Sequence, residues 1–251
     1  MKKIIDISKN NVVTDWGKVK TAVDGVIIRM GYRGYTKGKI VYDPLYESHR
    51  RGVIAYDIPH SFYFFPCSIN DAEAIEEADF IINELQGVHI DFPVFLDSEI
   101  SDVKNKSGRS DNLSVAQRTW LLKIICERVN AAGIPCGVYA STSWLKNNLN
   151  MGLLSMFPVW VAQYNTKCTY SGVYMMWQYT SKASIPGING NVDCSYLLSE
   201  WDINLPKIDH ELDEAITVIA KRVISGTFGT GHDRRKDVIY ELVRQRVNSL
   251  C

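Results

Sequence analysis

The sequence predicts an α/β protein: a barrel of alternating strands and helices, irregular in its last third, followed by a small all-α module. Three observations carry that expectation. Short apolar runs alternate with helix-periodic stripes over most of the first 164 residues, with brief connections, which is the order of a parallel barrel and not of a sandwich. One run, PVFLDSEI at residues 93–100, is apolar throughout its approach, as in a strand buried on both faces, and then ends in two carboxylates. At residues 201–209 (WDINLPKID) the periodicity breaks around a proline, and the chain beyond it is helical in spacing.

Taken in order, residues 3–7 (KIIDI) read as a first strand, 15–22 as a helix and 25–30 (GVIIRM) as a second strand. A helix at 44–51, a strand starting at Gly52 (GVIAYDI) and an apolar segment at 61–65 (SFYFF) continue the alternation. Asn70 is a suitable cap for a helix over 70–85, and Gly87 a suitable stop. A polar loop at 101–112 follows the acidic strand, and a loop of that length beside a candidate site is more often functional than idle. Ser114 and Gln117 then form a capping box. The stripe of that helix is Trp120, Leu121, Ile124, Ile125 and Val129, and Gly133 with Pro135 ends it. Strands at 136–140, 158–164 and 174–180, a helix at 144–148 and a Gly-rich turn before Val192 and Asp193 complete the barrel. The domain expectation is a barrel at 1–203, a linker at 204–209 and a helical module at 210–251, whose Leu212, Ile216, Ile219 and Val223 recur at helix spacing.

Composition narrows the function. The 28 basic and 28 acidic residues cancel, so neither nucleic acid nor an anionic membrane is expected as a partner. No window reaches the roughly 18 apolar residues of a membrane span. The N-terminal MKKIIDISKN lacks the apolar core of a secretory signal, so synthesis in the cytoplasm is expected. Six cysteines (Cys67, Cys126, Cys136, Cys168, Cys194 and Cys251) include no CxxC and read as reduced, buried small hydrophobes. The five histidines show no metal-ligand spacing, and there is no G-x-S-x-G, so no metal and no cofactor are expected. Gly229 and Gly231 follow a helix and not a strand, which argues against a dinucleotide site.

What remains is carboxylate chemistry. On a strand, Asp97 and Glu99 lie on one face. Taken alone the triplet reads as a solvated strand end, but Asp6 and Asp193 also stand at predicted strand ends, and strand ends of a barrel converge on one rim. Carboxyls held close in a partly desolvated place separate into an acid and a base, as glycoside hydrolysis requires. Aromatics cluster at the same strand ends: Tyr63, Tyr139, Trp160, Tyr164, Trp177 and Tyr179. Tyr and Trp suit the apolar faces and polar edges of sugars, and all but Tyr179, with Gln163, are the candidate substrate contacts. Core packing is the competing account for about half of these aromatics. Arg29 is expected in the cleft floor, holding a carboxylate.

IIDIS, DW followed by VIIRMGY, FLDSEI, GVYASTSW, VWVAQYN, and WQYTS with VDCSYL together resemble the lysozymes of glycoside hydrolase family 25 over roughly residues 1–200. That resemblance implies a flattened, irregular (β/α) barrel and cleavage of the β-1,4 bond between N-acetylmuramic acid and N-acetylglucosamine in peptidoglycan. It implies that Glu99 is the proton donor, with Asp6, Asp97 and Asp193 completing the acidic cluster. It also suggests net retention, the substrate's 2-acetamido group attacking while Asp97 or a neighbour stabilises the cationic ring. The tail (VISGTFGTGHDRRKDV, Tyr240, VRQRVNSL) is similar to the three-helix wall-binding repeats of phage lysozymes, with Gly229, Gly231, Asp233 and Arg234 as the expected wall contacts. One shortened copy keeps self-association and avidity open as routes to affinity. The combined expectation is a phage-type endolysin reaching the wall by a holin-type route. The rivals are a wall-binding protein on an inactive barrel and a chitinase-like glycosidase.

Overall fold

The computed structural model describes residues 1–199. The chain divides into two units, Met1–Asp202 and Ile203–Cys251. The expected linker and helical module, with Gly229, Gly231, Asp233 and Arg234, lie outside the described residues.

The elements are β1 (Lys2–Ile7), α1 (Trp16–Ala22), β2 (Gly25–Arg33), β3 (Ile40–Tyr42), α2 (Tyr46–Ala55), β4 (His60–Phe65), α3 (Asp71–Leu85), β5 (Val94–Asp97), α4 (Val115–Ala131), β6 (Cys136–Ser141), α5 (Thr142–Asn147), β7 (Val159–Ala162), β8 (Met176–Ala183) and β9 (Val192–Leu197). Eight strands close in the order β1-β9-β8-β7-β6-β5-β4-β2, with β1 pairing β2, and β3 adds to the outer edge of β2. Neighbours from β1 through β2, β4, β5, β6 and β7 to β8 run parallel, whereas β9 is antiparallel to both β1 and β8. This is the irregular (β/α) barrel expected. Because only five helices serve nine strands, the wall at β8 and β9 carries no helix among the described residues.

Strand alternation divides the apolar side chains into two cores. Ile4, Ile27, Phe95, Trp160, Met176 and Leu197 point inward and plug the barrel. Ile5, Ile28, Phe62, Phe64, Leu96 and Val138 point outward under the helices. Asn70, Ser114 and Asp15 cap α3, α4 and α1 through their side chains, and Ser114 with Gln117 forms the reciprocal box. The buried face of α4 is Leu121, Leu122, Ile125, Cys126 and Val129. Trp120, read as part of that stripe, is instead exposed and donates its indole N–H to Asp71 Oδ1 at 3.1 Å. Fully burying each large aliphatic contributes about 1.5–3 kcal/mol, so Ile125→Ala would cost about 2–5 kcal/mol.

The strand expected from Gly52 is absent: residues 52–55 belong to α2. Gly52 is no break, for a Cβ there would overlap the Trp16 indole, so the glycine lets α1 lie on α2. Tertiary packing outweighs the strand propensity of the VIA triplet. The short β3 is an addition to the expected elements. It pairs Gly31 with Tyr42, where a Cβ on Gly31 would meet the Val41 carbonyl at 2.6 Å. Cys67, Cys126, Cys136 and Cys194 are buried and Cys168 is partly buried; all five are free thiols. Among the described residues no helix is long and apolar enough to cross a membrane.

Candidate active site

The carboxyl ends of the parallel strands form one rim, and the four acids meet there. Asp6 lies near the end of β1 and Asp97 ends β5. Asp193 stands at the beginning of β9, not at a strand end as read from sequence. Because β9 runs antiparallel, its beginning reaches the rim where parallel strands finish, and Asp193 pairs directly with Asp6. Glu99 lies two residues beyond β5, but the Ser98 amide still donates to the Tyr139 carbonyl at 2.9 Å, so the strand-like alternation persists past Asp97.

Burial and mutual repulsion set the protonation of the cluster. Asp6 and Asp97 are buried. Burial, then Asp193 and Glu99, push the Asp6 carboxyl well above its ordinary range, against a lowering hydrogen bond from Gln178. Burial, then Glu99 and Asp6, raise Asp97 in the same way, and the nearby Arg29 charge offsets part of it. Glu99 reaches the surface at the cleft mouth, yet the protein around it, and then Asp193, raise its pKa as well. Desolvation raises Asp193. Burial and mutual repulsion thus oppose ionisation of all four carboxyls together, which favours a retained proton in the cluster.

A hydrogen-bond relay fixes part of the cluster. Gln178, inward on β8, donates from Nε2 to Asp6 Oδ2 at 2.9 Å. Its Oε1 accepts from the Tyr139 hydroxyl at 2.8 Å and the Tyr164 hydroxyl at 3.0 Å. Asp97 Oδ1 is buried without a hydrogen-bond partner, which disfavours the ionised form of this carboxyl. Ser98, between the two acids, accepts from Trp144 Nε1 at 3.0 Å, and the Arg118 guanidinium lies 4.8 Å over the Trp144 ring. The 101–112 loop is held by Asp111, whose carboxylate accepts from the amides of Ser101, Asp102 and Gly108.

The candidate sugar contacts divide. Tyr63 is close to Asp6, Arg29 and Asp97, with burial holding its hydroxyl protonated, and Tyr164 is exposed at the rim. Tyr139 joins the relay. Trp160 is corrected: it is 2% exposed, bonds Ser195 Oγ at 3.1 Å and packs edge-on to Phe95 and Tyr139 as the plug beneath the acids. Trp177 is corrected too, because it alternates with the inward Gln178, faces away from the barrel interior and donates to the Gln163 carbonyl at 2.8 Å. Gln163 uses both ends of its amide on Thr169, closing the loop after β7. Arg29 does hold a carboxylate, but that of Asp43, at 2.7 Å from Nε, and none of the four acids. Sequence reading missed Gln178, Asp43, Trp144 and Ser98. Only Gln178 carried a signal, a polar residue in step with inward Met176. Among the described residues no His, Cys, Asp and Glu group is arranged to hold a metal ion.

A closed β/α barrel with four carboxyls gathered at its carboxyl rim is an arrangement suited to acid–base chemistry in a cleft. The chain belongs to the glycosyl hydrolases family 25, which it matches over residues 5–188. It is 26% identical over 194 residues to the autolytic lysozyme of Clostridium acetobutylicum, covering 76% of this chain and 54% of that protein, so it spans about half the length of that relative. Among solved structures it is similar to the modular autolysin LytC of Streptococcus pneumoniae in complex with a synthetic peptidoglycan ligand, at 28% identity and TM-score 0.69, covering 77% of this chain and 46% of that one. It is also similar to the catalytic domain of the endolysin ply40 from a bacteriophage of Listeria monocytogenes, at 28% identity and TM-score 0.59, covering 81% of this chain and 95% of that one.

Proposed function

We propose that this chain is a peptidoglycan muramidase of the endolysin type, hydrolysing the β-1,4 bond between N-acetylmuramic acid and N-acetylglucosamine and thereby lysing a bacterial host. The observation that carries the reading is the set of four gathered carboxyls in which Glu99 is the most exposed and still has its pKa raised. A carboxyl that keeps its proton and reaches substrate is suited to protonate the leaving oxygen. The neighbouring acids then oppose the charge that develops. Asp97, beside Glu99, suits the N–H of an attacking 2-acetamido group or the cationic ring, while Asp6 stays bound to Gln178 and Asp193 flanks Glu99. Tyr63 and Tyr164 supply sugar-facing surface. Membership in the family and the autolysin and endolysin relatives support the substrate class. The local excess of base at residues 221–250, seven Lys and Arg against three Asp and Glu, supports wall attachment, and the expected cytoplasmic synthesis fits release through a holin-type route.

Reducing-end analysis of digested peptidoglycan tests the bond cleaved: muramic acid at the new ends supports the reading, and glucosamine ends overturn it. Glu99→Gln should bind walls but lose cleavage by about 10² or more, the usual contribution of a general acid. Activity retained within about tenfold would remove Glu99 from that role.

A further inference from the structure

Among the described residues no hydrogen bond directs the Glu99 carboxyl, which feels only burial and the charge of Asp193. Its aim is therefore set by the main chain that carries it, and that chain is clamped on both sides. On the near side the Ser98 amide donates to the Tyr139 carbonyl at 2.9 Å, and the Ser98 hydroxyl accepts from Trp144 Nε1 at 3.0 Å. On the far side Asp111 Oδ1 accepts from the Ser101 amide at 2.7 Å and the Ser101 hydroxyl at 2.8 Å, while Oδ2 accepts from the Asp102 amide at 3.1 Å. Glu99 and Ile100 are what lies between the clamps.

One side chain joins the two. Arg118, only 7% exposed, donates to the carbonyls of Ser110 at 3.3 Å and Asp111 at 3.0 Å. It also donates to the carbonyl of Asn148, the C-cap of α5, at 3.3 Å. Its guanidinium lies 4.8 Å from the centre of the Trp144 ring, within the range of a cation–π contact. Arg118 thus fixes the Asp111 main chain on one flank and, on the other, the indole that bonds Ser98. Ser98 follows Leu96 in the strand alternation and so looks toward the helices, which is why Trp144 of α5 reaches it. The base of the assembly is firm, because α4 carries its reciprocal cap and buries Leu121, Leu122 and Ile125. We propose that Arg118 and Trp144 are positioning residues for the proton donor: through Asp111 and Ser98 they hold the Glu99 segment where its carboxyl meets the leaving oxygen. Proton transfer needs heavy atoms within about 2.6–3.2 Å, and a displacement of about 1 Å costs up to about 10² in rate. The assignment rests on the muramidase reading and adds to it residues that act from behind the cleft.

The test measures kcat and KM on solubilised glycan, well below each variant's Tm, for Trp144→Phe, Ser98→Ala and the double variant. Trp144→Phe keeps an aromatic face against Arg118 and removes the N–H, and Ser98→Ala removes its acceptor. Each should lower kcat about tenfold or more with KM unchanged within about twofold, as expected for alignment lost in the transition state. The double variant should lose no more than the larger single loss, since both changes break one bond. Arg118→Lys keeps the charge but loses the fork that spans Ser110, Asp111 and Asn148, and should lower kcat more than either single variant. Should it fail to fold, the Ser98 and Trp144 variants carry the test. A brace that only stabilises the fold would lower Tm and leave kcat within about twofold of wild type, and that result overturns the proposal. Additive losses in the double variant, losses carried by KM, or a folded Arg118→Lys with wild-type kcat overturn it as well. All of these leave the muramidase reading standing, whereas a wild type that releases no reducing ends from peptidoglycan overturns that reading and this one with it.

Discussion

Gln178→Met would remove the relay beneath the acids while keeping the side chain's length and its place in the barrel. The exchange takes the 2.9 Å donor from Asp6 and the acceptor shared by Tyr139 at 2.8 Å and Tyr164 at 3.0 Å. A hydrogen bond to a charged group contributes about 1.5–3 kcal/mol, and a buried hydroxyl left without an acceptor costs about 1–3 kcal/mol. Tyr164 is exposed and turns to water, so it adds little. Asp6 is held partly neutral by burial and by Asp193, so its share falls at the low end. The expected loss is about 2–4 kcal/mol, which for a domain of this size lowers Tm by about 4–16 °C at roughly 2–4 °C per kcal/mol. The Gln178 N–H favours the ionised form of Asp6, and its removal raises that pKa further. If ionised Asp6 is required, the acid limb of kcat/KM moves to higher pH. Thermal melts and a pH–rate profile on solubilised glycan measure both. A variant that melts within about 1 °C of wild type with an unmoved acid limb would refute the relay.

Asp97→Asn should abolish or strongly reduce cleavage yet stabilise the fold at neutral pH. The folded pKa of Asp97 is raised by burial and by Glu99 and Asp6, so the native state binds more protons than the unfolded chain above about pH 4, and stability falls as pH rises through that window. The Tm advantage of the variant should thus be small at about pH 4 and grow toward neutrality, and a pH-independent difference would sink the argument. Proton NMR of the first-formed anomer on a defined oligosaccharide should show retention, and an inverted product rules out acetamido attack. A chain ending near Asn204 should still cleave solubilised glycan but sediment less with intact walls, the gap from the full chain widening at low salt. Equal sedimentation would leave the tail a folding or oligomerisation role.

The barrel was legible in the sequence because burial imposes a pattern that survives without coordinates. β5 reads as a run buried on both faces, and α4 announces itself through Ser114 and Gln117, whose capping bonds are local in the chain. The acids were legible for the same reason: Asp6 and the Asp97/Glu99 pair finish apolar runs, and charge at such a place asks for an explanation. What failed was whatever depends on a distant partner. Gly52 reads as a strand start until Trp16 lies against it. Arg29 shows that it needs a carboxylate but not which one, since Asp43 reaches it through the turn after β3. Trp160 and Trp177 look alike as aromatic strand residues, and only closure of the sheet turns one into the plug and the other away from the interior. Gln178 meets Asp6 across 172 residues. The sequence by itself determined the barrel class and the strand ends where its acids gather, because periodicity and caps are near-neighbour physics. The tertiary structure alone decided which acid stays exposed and which aromatics meet the cleft, because burial and hydrogen-bond partners are properties of the closed barrel.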